Sequence, residues 1–141
     1  MFLNENSPNG LMPEIEYKTL SGLSLAFIGD AVYELLIRSF ILSKGEATVK
    51  KLHKDCVSLV NADFQADMME LLLPLLTEEE AAVFRRGRNA HSAHTPKNKS
   101  EAQYHKSTGF EALIGYLYLK KDFDRLFYLF SVISEQGDKN E

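Results

Sequence analysis

The sequence predicts an all-α fold, a single helical bundle. Three observations carry the all-α prediction. Apolar residues recur at helical spacing along most of the chain, helix-capping residues punctuate the recurrence, and no segment alternates apolar and polar residues as a half-buried strand would. At 141 residues the chain has the length of one domain.

The elements follow in order. Met1 to Pro13 brings Asn, Ser, Pro and Gly without an apolar period, so residues 1–16 are expected to form an arm and residues 17–136 the domain. Leu23 to Leu42 carries Leu25, Phe27, Ile28, Val32, Leu35, Leu36, Ile37, Phe40 and Ile41 on nearly every face, which predicts a central buried helix stopped by Gly45. Val49, Leu52, Cys56, Leu59 and Val60 give the next helical stripe, and Met68 to Leu73 a third that ends at Pro74. Thr77-Glu78-Glu79-Glu80 has capping-box spacing and opens a helix ending in Arg85-Arg86-Gly87-Arg88. Asn89 to Lys99 is expected to be a surface loop of functional length. A strongly apolar helix through Phe110, Leu113, Ile114 and Leu117 follows, with Lys120 and Lys121 at its carbonyl end. Asp122 is placed to cap the last helix, whose Phe123, Phe127 and Phe130 read as packing or subunit contact, and residues 137–141 are expected to fray.

Composition narrows the function classes. Cys56 is a single cysteine, which forbids an internal disulfide and reads as a core residue, and no charged-then-apolar leader opens the sequence; a cytoplasmic protein is expected. Asp30, Glu34, Arg38 and Glu70 interrupt the apolar runs well short of the roughly 20 residues of a membrane span. A net charge of −4 argues against nucleic acid, but Arg85 to Lys106 holds six basic residues against one acid. That stretch, with Arg85, Arg86, Arg88, Asn89, Lys97 and Lys99, reads as a strip that binds the phosphates of an RNA duplex. His91 and His94 lack the further ligands of a zinc site.

Two acids stand where acids are costly. Asp30 lies in the most apolar helix and is expected to be buried, so it needs either a structural partner such as Arg38 or a chemical one. Glu34 is one turn further on the same face, and neighbouring carboxylates favour a shared proton or a divalent cation. Glu111 lies in a second apolar run; Thr108 to Glu111 also has capping-box spacing, which leaves open that Glu111 closes a helix start. Mg2+ suits such a pair, since it takes one or two carboxylates together with waters and phosphate oxygens.

The run Leu25-Ala26-Phe27-Ile28-Gly29-Asp30-Ala31-Val32 resembles the signature of the ribonuclease III catalytic domain, and Phe110-Glu111-Ala112-Leu113-Ile114-Gly115 resembles that family's second signature, in the same order and at a similar separation. Arg86-Gly87-Arg88-Asn89-Ala90, with Thr95-Pro96-Lys97-Asn98 and no double-stranded-RNA-binding domain following, is similar to the Mini-ribonuclease III branch. The resemblance implies a homodimer that cuts both strands of an RNA duplex with Mg2+, matures the ends of 23S ribosomal RNA, and has a ribosomal protein as a candidate helper. It puts the catalytic, metal-binding acids on Asp30 and Glu111, with Glu34 as a further candidate ligand. Two family acids are replaced, by Ala26 and Thr108. The competing reading is a non-catalytic dimeric RNA-binding or ribosome-assembly module of the same fold.

Overall fold

Five of the described α-helices start on a side chain that accepts from their own first turn. The computed structural model describes residues 14–90 and 101–139. Within them Ser21, Thr48, Asn61 and Thr77 cap α1 (Gly22–Ser43), α2 (Val49–Val60), α3 (Ala62–Leu72) and α4 (Glu78–Arg88). The capping box at Thr77 is complete: its backbone N–H donates to Glu80 at 2.9 Å and its hydroxyl accepts from the Glu80 N–H at 3.2 Å. After α5 (Glu101–Lys120), Asp122 accepts from the Arg125 N–H at 3.3 Å and opens α6 (Phe123–Lys139). Short 3-10 turns at Tyr17–Thr19 and Leu73–Leu75 complete the described elements, and Gly45 ends α1 with φ of 121°, a conformation other residues resist. No helix among the described residues is long and apolar enough to cross a membrane.

The axis of the bundle is α5. From Ser107 to Leu117 every residue of this helix is buried except Glu111, which is half-buried, and α1, α3, α4 and α6 all pack against it. The sequence instead made α1 the central helix. That helix is buried along one side only, through Leu25, Ala26, Gly29, Val32, Tyr33, Ile37 and Ile41. Its other apolar stripe faces outward, with Phe27 at 81 % exposure and Leu35 at 65 %. A helix apolar on every face needs cover on every face, and among the described residues α1 has cover on only one.

The carbonyl end of α2 is closed entirely by side chains. Val57 and Ser58 accept from the Asn61 amide at 3.0 and 3.3 Å, Leu59 from the Tyr33 hydroxyl at 2.6 Å, and Val60 from the Gln65 amide at 3.1 Å. Tyr33 belongs to α1 and Gln65 to α3, so this cap also fixes how three helices meet. In the first turn of α4, the buried Glu80 receives two bonds from Arg125, both at 2.8 Å. Burial pushes the Glu80 carboxyl up, but Arg125 and Thr77 outweigh it and hold it below the ordinary range. The last helix runs through Lys139, beyond the expected fraying point. Gly137 lies in contact with Leu59 and close to Phe40, and Asp138 pairs with Lys44, so tertiary contacts hold that final turn.

Candidate active site

Two glycines bring the candidate acids together. A Cβ on Gly29 would lie 1.7 Å from the Glu111 carbonyl oxygen, and one on Gly115 would lie 2.0 Å from the Leu25 carbonyl oxygen. The backbones of α1 and α5 therefore touch where they cross, which no other residue type permits. Asp30 follows Gly29, and Glu111 sits one turn before Gly115. The crossing sets their side chains in hydrogen-bond contact.

The environments of the two acids differ. Asp30 is exposed, which corrects the expectation of a buried carboxylate, because it borders the outward stripe of α1. Glu111 is half-buried. Burial above all, then the hydrogen bond and negative charge of Asp30, push its carboxyl up to about 9, while a hydrogen bond from Gln65 pulls it the other way. At neutral pH Glu111 thus keeps its proton and donates it to Asp30. Two carboxylates in contact, one reachable from solvent and one set deeper, form a donor pair in which a divalent cation can take the place of the shared proton.

A carboxyl raised in the fold contributes fully below its ordinary value of 4.5, and the contribution is lost as pH climbs from there towards about 9. Without divalent cations, Glu111→Gln is expected to be more stable than wild type at pH 8 by about 1–2 kcal/mol, and to differ less at pH 5. Urea unfolding of both proteins at the two pH values checks this. Parallel pH dependence would contradict it.

The remaining candidates divide. Glu34 is engaged by Arg38 at 3.3 Å, so Arg38 partners Glu34 rather than Asp30. Among the described residues no cluster of three or more His, Cys, Asp or Glu side chains suited to a metal ion occurs, so the pair gains no third acid. Thr108 is buried inside α5, and its hydroxyl donates to the Tyr104 carbonyl at 3.1 Å, which rules out a helix start there and with it the capping role of Glu111. Ala26 is buried at 7 % exposure among core side chains.

The basic end of α4 sits beside the pair. A Cβ on Gly87 would meet the Ala112 side chain at 2.5 Å, so the last turn of α4 packs on the turn of α5 that carries Glu111. Arg85, Arg86, Arg88 and Asn89 are all exposed there. Arg86 donates to the Leu20 carbonyl at 2.7 Å and so ties α4 to the entrance of α1. Arg88 bonds to the Asn89 side chain at 3.2 Å and lies over the Phe84 ring. Lys97 and Lys99, with His91 and His94, lie outside the described residues. Sequence reasoning missed Gln65, although its place on the apolar stripe of α3 with Met68, Met69 and Leu72 marks a buried amide that must find partners.

An all-helical domain with paired acids at a helix crossing and a basic rim has the build of a nuclease, and comparison with known proteins gives the class. The model of the ribonuclease III domain matches residues 23–122, and the chain belongs to that family. It is similar to Mini-ribonuclease 3 of Enterococcus faecalis, 42 % identical over 89 % of this chain and 98 % of that protein. Mini-ribonuclease 3 of Thermoanaerobacter sp. is 46 % identical over 86 % and 90 %, and that of Symbiobacterium thermophilum 47 % over 77 % and 83 %. A crystal structure of a Fusobacterium nucleatum protein superposes with a TM-score of 0.77 at 30 % identity, covering 84 % of this chain and 95 % of that one. The protein is an endoribonuclease, of a family that acts on double-stranded RNA.

Proposed function

We propose that the protein cuts both strands of an RNA duplex as a homodimer, with Mg2+ held by Asp30 and Glu111, and that it matures the ends of 23S ribosomal RNA. The contact between Asp30 and Glu111 at the glycine crossing carries this reading. A bound divalent cation supplies a water made more acidic and compensates the charge that builds on phosphorus. The protein's part is to hold the two carboxylates at one point, to keep Asp30 open to the substrate, and to anchor phosphates flanking it. Arg85, Arg88 and Asn89 on the described surface, with Lys97 and Lys99, are assigned to that anchoring, and Arg86 to anchoring the rim itself.

The dimer reading rests on the outward stripe of α1. Phe27 projects from it beside a groove of about 310 Å³ lined by Ile28, Ala31, Leu35, Phe123 and Phe127 among others. Exposed apolar residues this concentrated suit a second copy, in which Phe27 of each chain enters the groove of the other.

The test is cleavage of one labelled strand, alone and in a perfect duplex, with Mg2+ and with chelator. Cutting of the duplex only, dependent on the cation and falling steeply between about 50 and 200 mM salt, is the expected result. In sedimentation the wild type should run as a dimer and Phe27→Asp as a monomer. Cutting indifferent to strand pairing or to chelator would overturn the assignment, and a monomeric wild type would overturn the dimer. In cells lacking the protein, 23S precursors with unprocessed ends are expected; normal ends would remove that substrate.

A further inference from the structure

Basic side chains gather in a second stretch of the chain besides Arg85 to Lys106. Residues 38–54 hold Arg38, Lys44, Lys50, Lys51 and Lys54 against one acid, Glu46, whereas residues 55–84 hold seven acids and no lysine or arginine. Lys50 and Lys51 stand in the first turn of α2, which carries no acid. Positive charge is unfavourable at that end of a helix, so the two lysines do not serve the helix they open. Lys51 pairs with Asp55, and Lys44 with Asp138. Lys50 and Lys54, one turn apart and both exposed, make no hydrogen bond or ion pair among the described residues.

The course of α1 places this group relative to the site. Near its start, Gly22 lies against the backbone of Arg86 and Gly87 at the basic end of α4. Further on, Tyr33 bonds to the Leu59 carbonyl at the end of α2, and Arg38, Ile41 and Leu42 share a groove with Val49, Leu52 and His53 of its first half. Gly22 and Arg38 each stand eight residues from Asp30, about 12 Å along the helix axis. Basic groups therefore lie along α1 on both sides of Asp30. Arg38 is exposed, and its guanidinium has donors beyond the one that meets Glu34 at 3.3 Å.

We propose that Lys50 and Lys54 of α2, with Arg38 beside them, form a second phosphate-binding strip that holds the RNA duplex on the opposite side of Asp30 from α4. The inference rests on the reading of Asp30 as the point of cleavage, and it extends the footprint assigned to Arg85 and Arg88. These side chains meet the backbone of the duplex away from the reacting phosphate. Their contribution is binding that ignores sequence and weakens with salt.

Lys50→Glu separates this role from a structural one, because the two predict opposite signs. An acid there suits the helix end and can pair with Lys54 four residues on, so the melting temperature should hold or rise. Duplex binding should fall at least about tenfold at about 100 mM salt. Lys50→Ala/Lys54→Ala should bind about fivefold or more weakly and lower the slope of log Kd against log salt by about 1–2. Lys120→Ala/Lys139→Ala removes two exposed lysines elsewhere and should bind within about twofold of wild type. At saturating duplex, single-turnover cleavage by the α2 variants should match wild type, since Asp30 and Glu111 are untouched. Affinity within about twofold of wild type in both α2 variants, or an equal loss in Lys120→Ala/Lys139→Ala, overturns this inference alone. So does sedimentation of the α2 variants as monomers beside a dimeric wild type, which would place these lysines between subunits. Failure of wild type to bind a duplex, or cutting by Asp30→Asn at the wild-type rate, overturns the reading beneath it.

Discussion

Asparagine in place of Asp30 is expected to lower duplex cleavage by about three orders of magnitude or more while leaving duplex binding within about twofold. The substitution keeps the shape of the side chain and removes its charge. Asp30 is exposed, so the fold has little to lose by the change. Its partner gains, since the hydrogen bond and charge that help raise the Glu111 carboxyl come from Asp30. What disappears is the outer half of the donor pair. Single-turnover cleavage of a labelled duplex, paired with a binding curve on the same RNA, separates the two effects. A variant that cuts at more than about a tenth of the wild-type rate would remove Asp30 from the chemistry. Equally absent cutting by variant and wild type, with binding intact, would favour a non-catalytic RNA-binding module.

Alanine at Gly29 is expected to damage both fold and site. The added methyl would sit 1.7 Å from the Glu111 carbonyl oxygen, which belongs to the backbone of the central helix and cannot rotate aside. The two helices must move apart, at a cost of about 3 kcal/mol or more in stability. The same movement separates Asp30 from Glu111. A misplacement of about 1 Å at reacting groups can cost about 100-fold in rate, so the protein that still folds should be nearly inactive. Gly115→Ala meets the Leu25 carbonyl from the other side and should behave alike. Chemical denaturation and cleavage at a temperature where the variant remains folded measure the two losses. Wild-type stability in Gly29→Ala would mean that the helices do not touch.

The all-helical fold was legible because its signals are local. Capping residues at Thr77 and Asp122, the stop at Gly45 and the helical stripes each act within a turn or two of chain, and the structure has them where the sequence puts them. Burial was less legible. The all-round apolar pattern of α1 made Asp30 look enclosed, because a sequence shows that a face is apolar without showing whether the same chain covers it. The opposite happened in α5, whose Ser107, Thr108 and Gly109 look polar or neutral yet are buried at the axis. The pairing of Asp30 with Glu111 depends on a contact across 81 residues of chain, suggested beforehand by two acids in apolar helical runs and by the likeness to a known family. The glycines that create the contact stand in both motifs, but a glycine in a sequence does not name the helix that packs on it. Gln65 was missed because a lone amide in an apolar stripe announces a buried hydrogen bond but not its partner.

If Asp30 and Glu111 hold one cation in place of one shared proton, binding of the cation must displace that proton. Calorimetric titration of the wild-type protein with Mg2+ near pH 7, repeated in buffers of different ionisation enthalpy, counts the protons released as the cation binds. With the Glu111 carboxyl up at about 9, release of close to one proton per site is expected. Cation binding with no proton release would show that the ion sits elsewhere, and the site described would then not be the one that binds it.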